Sequence, residues 1–272
     1  TSASPWFQPV MQRTTGKLKW VHSLSAGVES FLIPEIADSA VPFTNARGVY
    51  ARSLGEWAIA GMLYFAKDLR RLLRQQAEHR WQQFDVKELH GATLGIVGYG
   101  EIGRATAARA KAFGMKVLAL RRRAHLSEDD PLVDQVIAHE HILDMAAASD
   151  YLLAAAPLTP KTRGLVSAGV IAAMKPRAVF LNLGRGPVVD EAALIAALRE
   201  NRIRGAALDV FETEPLPAGH PFYELENVLL SPHCADNTDT WLDDTMRFFL
   251  RNFDHFLKGE PLENLVDKER GY

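Results

Sequence analysis

The sequence predicts an α/β protein with a doubly wound parallel sheet and a second, smaller domain. Two observations carry this prediction: from residue 93 onwards short apolar strands alternate with helices, and a glycine-rich turn joins the first of these strands to its helix. Such alternation is typical of a parallel sheet covered on both faces, and right-handed crossovers make the doubly wound order the default. The 272 residues suffice for one large or two modest domains.

The N-terminal part is expected to hold little regular structure before a long helix. Residues 1–20 are polar with scattered prolines, so we expect an irregular lead-in there. A short strand is expected over 19–24, ending in the small-residue turn Ser25-Ala26-Gly27. From Ser53 to about Arg80, apolar side chains recur at helical spacing and cations gather in the last third, where a helix C-terminus favours them. This predicts one helix long enough to bridge two domains.

The strand and helix alternation follows this helix. We expect strands over residues 93–98, 116–120, 150–155, 178–182, 205–210 and 228–230, and helices over residues 102–113 and 191–200. The last helix, over residues 240–257, is amphipathic and precedes an extended tail that runs to Tyr272.

Composition and charge exclude several classes of protein. Hydrophobic residues make up 47% of the chain and charged residues 24%, which excludes disorder and fibrous repeats. A net charge of -2 gives no support for a nucleic-acid or membrane partner. The single cysteine, Cys234, excludes a disulfide framework, and no metal site is expected. Without an apolar run of ~20 residues or a signal segment, a cytoplasmic location is the default expectation.

The glycine-rich turn Gly98-Tyr99-Gly100-Glu101-Ile102-Gly103 indicates a dinucleotide site. The first glycine allows a tight turn, and the second lets the backbone approach a pyrophosphate. The third lets the helix pack on the strand, so that the N-terminal amides point at the phosphates. The motif alone is weak, but its position between a strand and a helix favours dinucleotide binding over a turn used only for packing.

Three arginines at the end of the next strand favour NADP(H) over NAD(H). An NAD site places an acid about 20 residues after the first glycine, to hold the ribose 2′-hydroxyl. Arg121 stands there instead, followed by Arg122 and Arg123. A guanidinium forms charge-assisted hydrogen bonds with a 2′-phosphate, whereas a carboxylate repels it. The alternative is a solvated basic turn.

Arg185, Glu214 and His233 each follow a predicted strand, at the sheet edge where open α/β proteins place their ligands. Taken singly, they could be a structural loop cation, a surface acid and a core histidine. Together they suit the reduction of a 2-oxoacid. A guanidinium binds the carboxylate and polarises the carbonyl, and a histidine supplies the proton. A carboxylate on the other imidazole nitrogen stabilises the imidazolium.

With these motifs, the chain closely resembles one family, the D-isomer-specific 2-hydroxyacid dehydrogenases. The resemblance runs from about Lys17 to the C-terminus and includes the glycine turn and the three segments above. It also includes residues 17–29, 44–48 and 157–162. It implies an oxidoreductase in which Arg185 binds substrate, His233 is the acid and base, and Glu214 is the partner of His233.

The resemblance also assigns the remaining residues of the site. Asp209 is expected to hold the nicotinamide carboxamide, and Ala235 to lie beside that ring. Ala156-Pro157 and Leu183-Gly184 are expected to line the cofactor cleft. The backbone of Ser25-Ala26-Gly27 is expected to cradle the substrate carboxylate, together with the side chains of Arg185 and His233.

The resemblance implies a division of the chain into three parts. Residues 1–68 form part of a flavodoxin-like substrate domain, residues 69–238 a dinucleotide-binding Rossmann domain, and residues 239–272 a helix and tail that return to the substrate domain. The family has a longer βαβ stretch ahead of the match, so the chain is either truncated or reduced there. The basic turn and the ending over residues 266–272 look most like NADPH-preferring glyoxylate/hydroxypyruvate reductases.

The resemblance leaves two matters open. Homodimerisation is expected, with the long helix after Ser53 as interface, while core packing is the alternative for that helix. Some relatives are dinucleotide-sensing corepressors that keep the same three residues, so a binding protein or an inactive truncated relative stays as the alternative to an enzyme.

Overall fold

The N-terminal segment forms a small sheet with two short helices. The computed structural model describes residues 5–14, 16–122 and 129–272. Strand β1 (Val21–Ser23) pairs in parallel with β2 (Phe43–Asn45), and helices α1 (Phe7–Thr14) and α2 (Pro34–Ala37) accompany them. The irregular lead-in expected over residues 1–20 is therefore wrong for residues 7–14. Helix α1 buries Met11 in a cluster with Ile36 and Phe43, a tertiary contact that polar composition does not reveal.

The long helix expected from Ser53 to Arg80 is two helices. Helix α3 (Ala51–Ala66) ends near Asp68, which adopts a left-handed backbone with φ of 50°, and α4 (Leu69–Ala77) follows it. The apolar spacing continues through the break, so periodicity could not locate it. The two helices have different surroundings, because most of α3 is buried whereas α4 keeps its leucines largely exposed.

Seven parallel strands form the main sheet among the described residues. In chain order they are β3 (Thr93–Val97), β4 (Lys116–Leu120), β5 (Gln135–Ile137), β6 (Tyr151–Ala154), β7 (Val179–Asn182), β8 (Gly205–Leu208) and β9 (Val228–Leu230). Their order across the sheet is β5-β4-β3-β6-β7-β8-β9. The chain winds outwards in one direction through β4 and β5 and then in the other from β6 to β9. The switch point is therefore between β3 and β6, where open sheets of this kind bind ligands.

Helices cover both faces of this sheet. They are α3 and α5 (Glu101–Ala112) on one face, and α6 (Ile142–Ala148), α7 (Ala168–Ala173) and α8 (Glu191–Arg199) on the other. The last helix of the chain is α9 (Trp241–Lys258). Two large apolar clusters result, one including the buried side chains of α3 and α5, the other those of α6, α7 and α8. The predicted doubly wound parallel sheet is confirmed. The sequence reading missed β2, β5, α2, α6 and α7, which are short and carry weak periodic signals.

The last helix returns to the N-terminal sheet. Trp20 stacks on Phe249 and Phe256 of α9, with ring centroids 5.6 and 5.4 Å away. Beyond α9, the Val266 N–H donates to the Phe43 carbonyl at 2.8 Å. The two ends of the chain thus share one packed unit beside the main sheet. The boundaries at residues 68 and 238 stay a prediction. None of the helices in the described ranges is long and apolar enough to cross a membrane.

Candidate active site

The glycine turn lies at the switch point, between β3 and α5. Gly98 has φ of 97°, and a Cβ there would lie 2.5 Å from the backbone nitrogen of Ala156. Glycine is thus required both for the backbone conformation and for the close approach to the loop after β6. Gly100 begins α5 without a side-chain cap, and a Cβ on it would meet nothing within 4 Å. Uncapped amides beside open space suit a bound phosphate.

The other residues of the turn have distinct surroundings. Gly103 packs the helix on the strand, since a Cβ there would lie 3.0 Å from both Ile96 and the Gly98 carbonyl. Tyr99 is buried, and its hydroxyl donates to Asp130 at 3.1 Å. Burial raises the pKa of this phenol. The backbone of Tyr99 can therefore face a cofactor, but its side chain belongs to the core. Glu101 and Ile102 form the first turn of α5.

The sequence-predicted arginines lie at the end of β4, beside the glycine turn. The Gly98 N–H donates to the carbonyl of Leu120, the residue before Arg121. Arg122 donates to the Tyr272 hydroxyl, and its guanidinium carbon lies 5.2 Å from the centre of that ring. Arg123 lies outside the described residues. The C-terminal tail therefore reaches the position expected to bind a 2′-phosphate, a contact that sequence reasoning missed.

The loop after β7 is shaped by a buried side chain that sequence reasoning did not single out. Asn182 accepts from the Gly184 N–H at 3.1 Å and donates to the Arg185 carbonyl at 3.3 Å. A Cβ on Gly184 would lie 2.7 Å from the Ala156 carbonyl. Gly184 thus lies against Ala156, and the expectation that Leu183-Gly184 and Ala156-Pro157 line the cofactor cleft stays a prediction.

The Arg185 side chain reaches the loop after β1. Its Nε donates to Glu29 at 2.5 Å, and its Nη1 donates to the Gly184 carbonyl at 2.9 Å. A Cβ on Gly27 would lie 1.7 Å from Nη2 of Arg185, so the guanidinium occupies the space that a side chain would take. The structure therefore brings Ser25-Ala26-Gly27 to Arg185.

Two hydrogen bonds hold the loop after β1 in place. The Asn45 amide donates to the Ala26 carbonyl at 2.6 Å, and the Ser25 N–H donates to Ser23 Oγ at 3.1 Å.

Glu29 lies in the segment 17–29 that carries the family resemblance, but no role was predicted for it. Burial alone would raise the pKa of its carboxyl, but the charge and hydrogen bond of Arg185 outweigh burial and lower it.

Glu214 and His233 form a direct pair. His233 Nδ1 lies 2.6 Å from Glu214 Oε2, and both side chains are part-buried. The Phe211 N–H donates to the other carboxylate oxygen at 2.9 Å. Burial raises the pKa of Glu214, but these hydrogen bonds and the histidine outweigh it, so the net direction is down. The carboxylate is therefore kept ionised and fixes the orientation of the imidazole.

Asp209 holds the loop that carries His233. It is 1% exposed, and its Oδ1 accepts from Ser231 Oγ at 2.6 Å, from the Cys234 N–H at 2.9 Å and from the Ala235 N–H at 3.1 Å. The Ala235 carbonyl accepts from Ser53 Oγ at 2.6 Å. From the resemblance, Asp209 was expected to hold the nicotinamide carboxamide, and that contact stays a prediction. Its hydrogen bonds in the structure are to this loop.

A further carboxylate, Asp236, follows Ala235. It is part-buried, and burial raises its pKa, while the charges of His233 and Arg185 act to lower it. The sequence reading passed over this acid, although its place three residues after the histidine was a usable signal.

The arrangement suits a dinucleotide and a small anion. Over residues 5–14, 16–122 and 129–272, no group of three or more His, Cys, Asp and Glu side chains could hold a metal ion. The open turn at Gly100 and the basic end of β4 suit the phosphates of NADP(H), so these residues fit the predicted cofactor. The arginine and the paired histidine offer anion binding and proton transfer.

Comparison with known proteins gives a consistent set of matches. Residues 59–235 match the family described as D-isomer specific 2-hydroxyacid dehydrogenase, NAD binding domain. Over 265 residues the chain is 34% identical to the glyoxylate reductase of Thermococcus litoralis, covering 93% of this chain and 78% of that protein. It is 32% identical over 260 residues to the D-3-phosphoglycerate dehydrogenase of Methanocaldococcus jannaschii, covering 92% of this chain but only 48%, about half, of that longer protein.

A solved structure of similar architecture carries a cofactor. The NADPH-dependent glyoxylate/hydroxypyruvate reductase of Sinorhizobium meliloti, in complex with NADP and sulfate, superposes with a TM-score of 0.84 at 28% identity. The match covers 96% of this chain and 83% of that one.

Proposed function

Because the chain belongs to the D-isomer specific 2-hydroxyacid dehydrogenase family, as its motifs predicted, we propose that it transfers a hydride between NADP(H) and a small 2-oxo or 2-hydroxy acid. The observation that carries this proposal is the Glu214–His233 pair at 2.6 Å, at the same sheet edge as Arg185 and the glycine turn. A paired imidazole and a guanidinium at the mouth of a dinucleotide cleft are the groups that carbonyl reduction needs.

In this scheme the protein's residues bind the oxoacid and move one proton. When bound, the reduced nicotinamide supplies the hydride. Arg185 binds the substrate carboxylate and polarises the carbonyl, with the backbone of Ser25-Ala26-Gly27 beside it. Glu214 holds Nδ1 of His233, which leaves Nε2 to donate the proton to the developing alkoxide. In the reverse direction, neutral His233 takes the hydroxyl proton.

NADP(H) is the cofactor that we propose over NAD(H). Arg121 and Arg122 stand where an acid would hold the ribose of NAD, and the Sinorhizobium reductase of similar fold is described as NADPH-dependent. The test compares kcat/KM for NADPH and NADH with the same oxoacid. A clear NADH preference would contradict the proposed role of the arginines.

Glyoxylate and hydroxypyruvate are the substrates that we propose, following the name of the Thermococcus relative and that of the Sinorhizobium reductase. A panel of small 2-oxoacids with each nicotinamide cofactor tests this. We expect NADPH oxidation with glyoxylate or hydroxypyruvate. A folded protein that binds NADPH but reduces none of them would instead favour the second candidate, a dinucleotide-sensing corepressor-like protein or an inactive relative.

We also propose a homodimer. Past α3 the chain exposes several large apolar side chains, with Trp81 96% exposed, Leu73 63% and Leu72 45%. Large apolar side chains left exposed so close together along the chain favour a protein interface. Light scattering after gel filtration tests the proposal: we expect twice the chain mass for the wild type and a smaller species for Trp81→Ser. A monomeric wild type would refute it.

A further inference from the structure

Glu29 is a carboxylate that the hydride-transfer scheme does not use, yet it lies against the arginine expected to bind substrate. Its Oε1 accepts from Arg185 Nε at 2.5 Å. It belongs to the loop after β1, whereas Arg185 follows β7, so the pair joins the N-terminal unit to the main sheet. Both side chains are partly shielded from water, which strengthens their interaction relative to a fully exposed pair.

The hydrogen bonds of Arg185 leave one edge of its guanidinium for a ligand. Arginine carries five N–H donors in a planar fork. Nε is bound to Glu29 and one N–H of Nη1 to the Gly184 carbonyl. The outer edge, formed by Nη1 and Nη2, can then pair with one carboxylate in a bidentate manner. Glu29 therefore sets the plane in which Arg185 presents that edge.

Glu29 also compensates the positive charge of Arg185. Glu214 does the same for a protonated His233, and Asp236 adds a further carboxyl group on which the charges of both His233 and Arg185 act. Arg185 and a protonated His233 thus each have a carboxylate partner before a substrate arrives. One entering carboxylate gains the bidentate contact, but a second negative charge on the same small molecule would meet these carboxylates and be repelled by them.

We propose that Glu29 is a positioning and specificity-determining residue, which orients Arg185 and restricts the site to 2-oxoacids with a single negative charge. This inference rests on the proposed reductase function. It assigns rejection of dicarboxylic and phosphorylated 2-oxoacids to a residue that touches the substrate-binding arginine.

Three variants separate charge from orientation. Glu29→Gln keeps an oxygen that can accept from Nε but removes the charge, Glu29→Asp keeps the charge on a shorter side chain, and Glu29→Ala removes both. The matched control is Glu56→Gln, since Glu56 also pairs with an arginine, Arg109, at 3.0 Å, but between α3 and α5. Each is assayed with NADPH and glyoxylate, hydroxypyruvate or the dianion oxaloacetate, and NADP⁺ binding is measured by calorimetry.

Glu29→Gln should raise kcat/KM for oxaloacetate relative to hydroxypyruvate by about tenfold, mainly through KM. Glu29→Asp should keep the wild-type ratio, Glu29→Ala should raise KM and lower kcat for glyoxylate, and Glu56→Gln should change neither. NADP⁺ affinity should stay constant throughout. If the wild type reduces glyoxylate but the Glu29→Gln ratio is unchanged, the inference is wrong and the reductase function stands. If the wild type reduces no 2-oxoacid, the proposed function fails and the inference with it.

Discussion

His22 of β1 makes the N-terminal unit sensitive to mild acid. Its ring packs against the aromatic rings of Trp20, Phe248 and Phe249. Thr44 Oγ1 accepts from the Trp20 indole at 2.8 Å and lies 2.7 Å from His22 Nδ1. The opposite nitrogen, Nε2, is buried and has no hydrogen-bond partner among the described residues. Burial lowers the pKa of His22 to about 4, so the ring is neutral in the folded protein near neutral pH.

The size of the effect follows from proton linkage. The unfolded chain binds a proton at this histidine near pH 6.5, whereas the folded chain does so only near 4. The stability that the neutral His22 imidazole contributes is therefore fully present above pH 6.5 and is lost as the pH falls towards 4. Between pH 7.5 and pH 5 the full shift would cost about 2 kcal/mol. Because His22 is only part-buried, solvent screening reduces this to about 1 kcal/mol.

The assay compares the wild type with His22→Gln, which keeps an amide near Thr44 but does not titrate. The free energy of unfolding is measured with urea at pH 7.5 and pH 5 for both proteins. We expect the loss on acidification to be about 1 kcal/mol smaller in the variant. His22→Asn serves as a second variant if the first does not fold. Equal losses in wild type and variant would refute the account of a buried, neutral imidazole.

Three predictions address the candidate site. His233→Ala should lower kcat by about 10²–10⁴-fold while calorimetry shows unchanged NADP⁺ binding, and a kcat within tenfold of wild type would remove His233 as the proton donor. Glu214→Gln should move the pH profile of reduction to lower pH, because the imidazolium loses its anionic partner, and an unmoved profile would exclude Glu214 from the scheme. Tyr272→Phe should weaken NADP⁺ binding about threefold and leave NAD⁺ binding unchanged, since its hydroxyl no longer accepts from Arg122. Arg270→Gln, in the same tail but paired with Asp267, is the control, and equal effects of both variants would argue against the Arg122 contact.

The sequence predicted the parts of the fold that local signals specify. Strands such as Val228–Leu230 and Lys116–Leu120 were found at their observed bounds, because a parallel strand in the interior of such a sheet is a short apolar run between polar turns. The loops that carry Arg185, Glu214 and His233 were placed at one sheet edge for the same reason. Once parallel strands are recognised, their carboxyl ends must lie on one side of the sheet.

The features that the sequence did not predict have a common physical cause, because they depend on contacts between distant segments. Helix α1 is stabilised through Met11 by side chains from α2 and β2, and the left-handed residue Asp68 interrupts a pattern that is periodic on both sides. Neither feature can be recognised from a short stretch of the sequence. The contact between Tyr272 and Arg122 joins residues 150 positions apart, so the order of residues could not reveal it.

Gly27 and Asp209 could be identified from the sequence, but the contacts that require them could not. Gly27 is required because the Arg185 guanidinium fills the place of its side chain, and Asp209 because three donors of the His233 loop converge on one oxygen. Each is thus coupled to a catalytic candidate from another strand. Replacing either residue would displace Arg185 or His233 without touching a substrate atom. A loss of activity at residue 27 or 209 is therefore expected from geometry alone, whereas variants at residues 185, 214 and 233 test the chemistry itself.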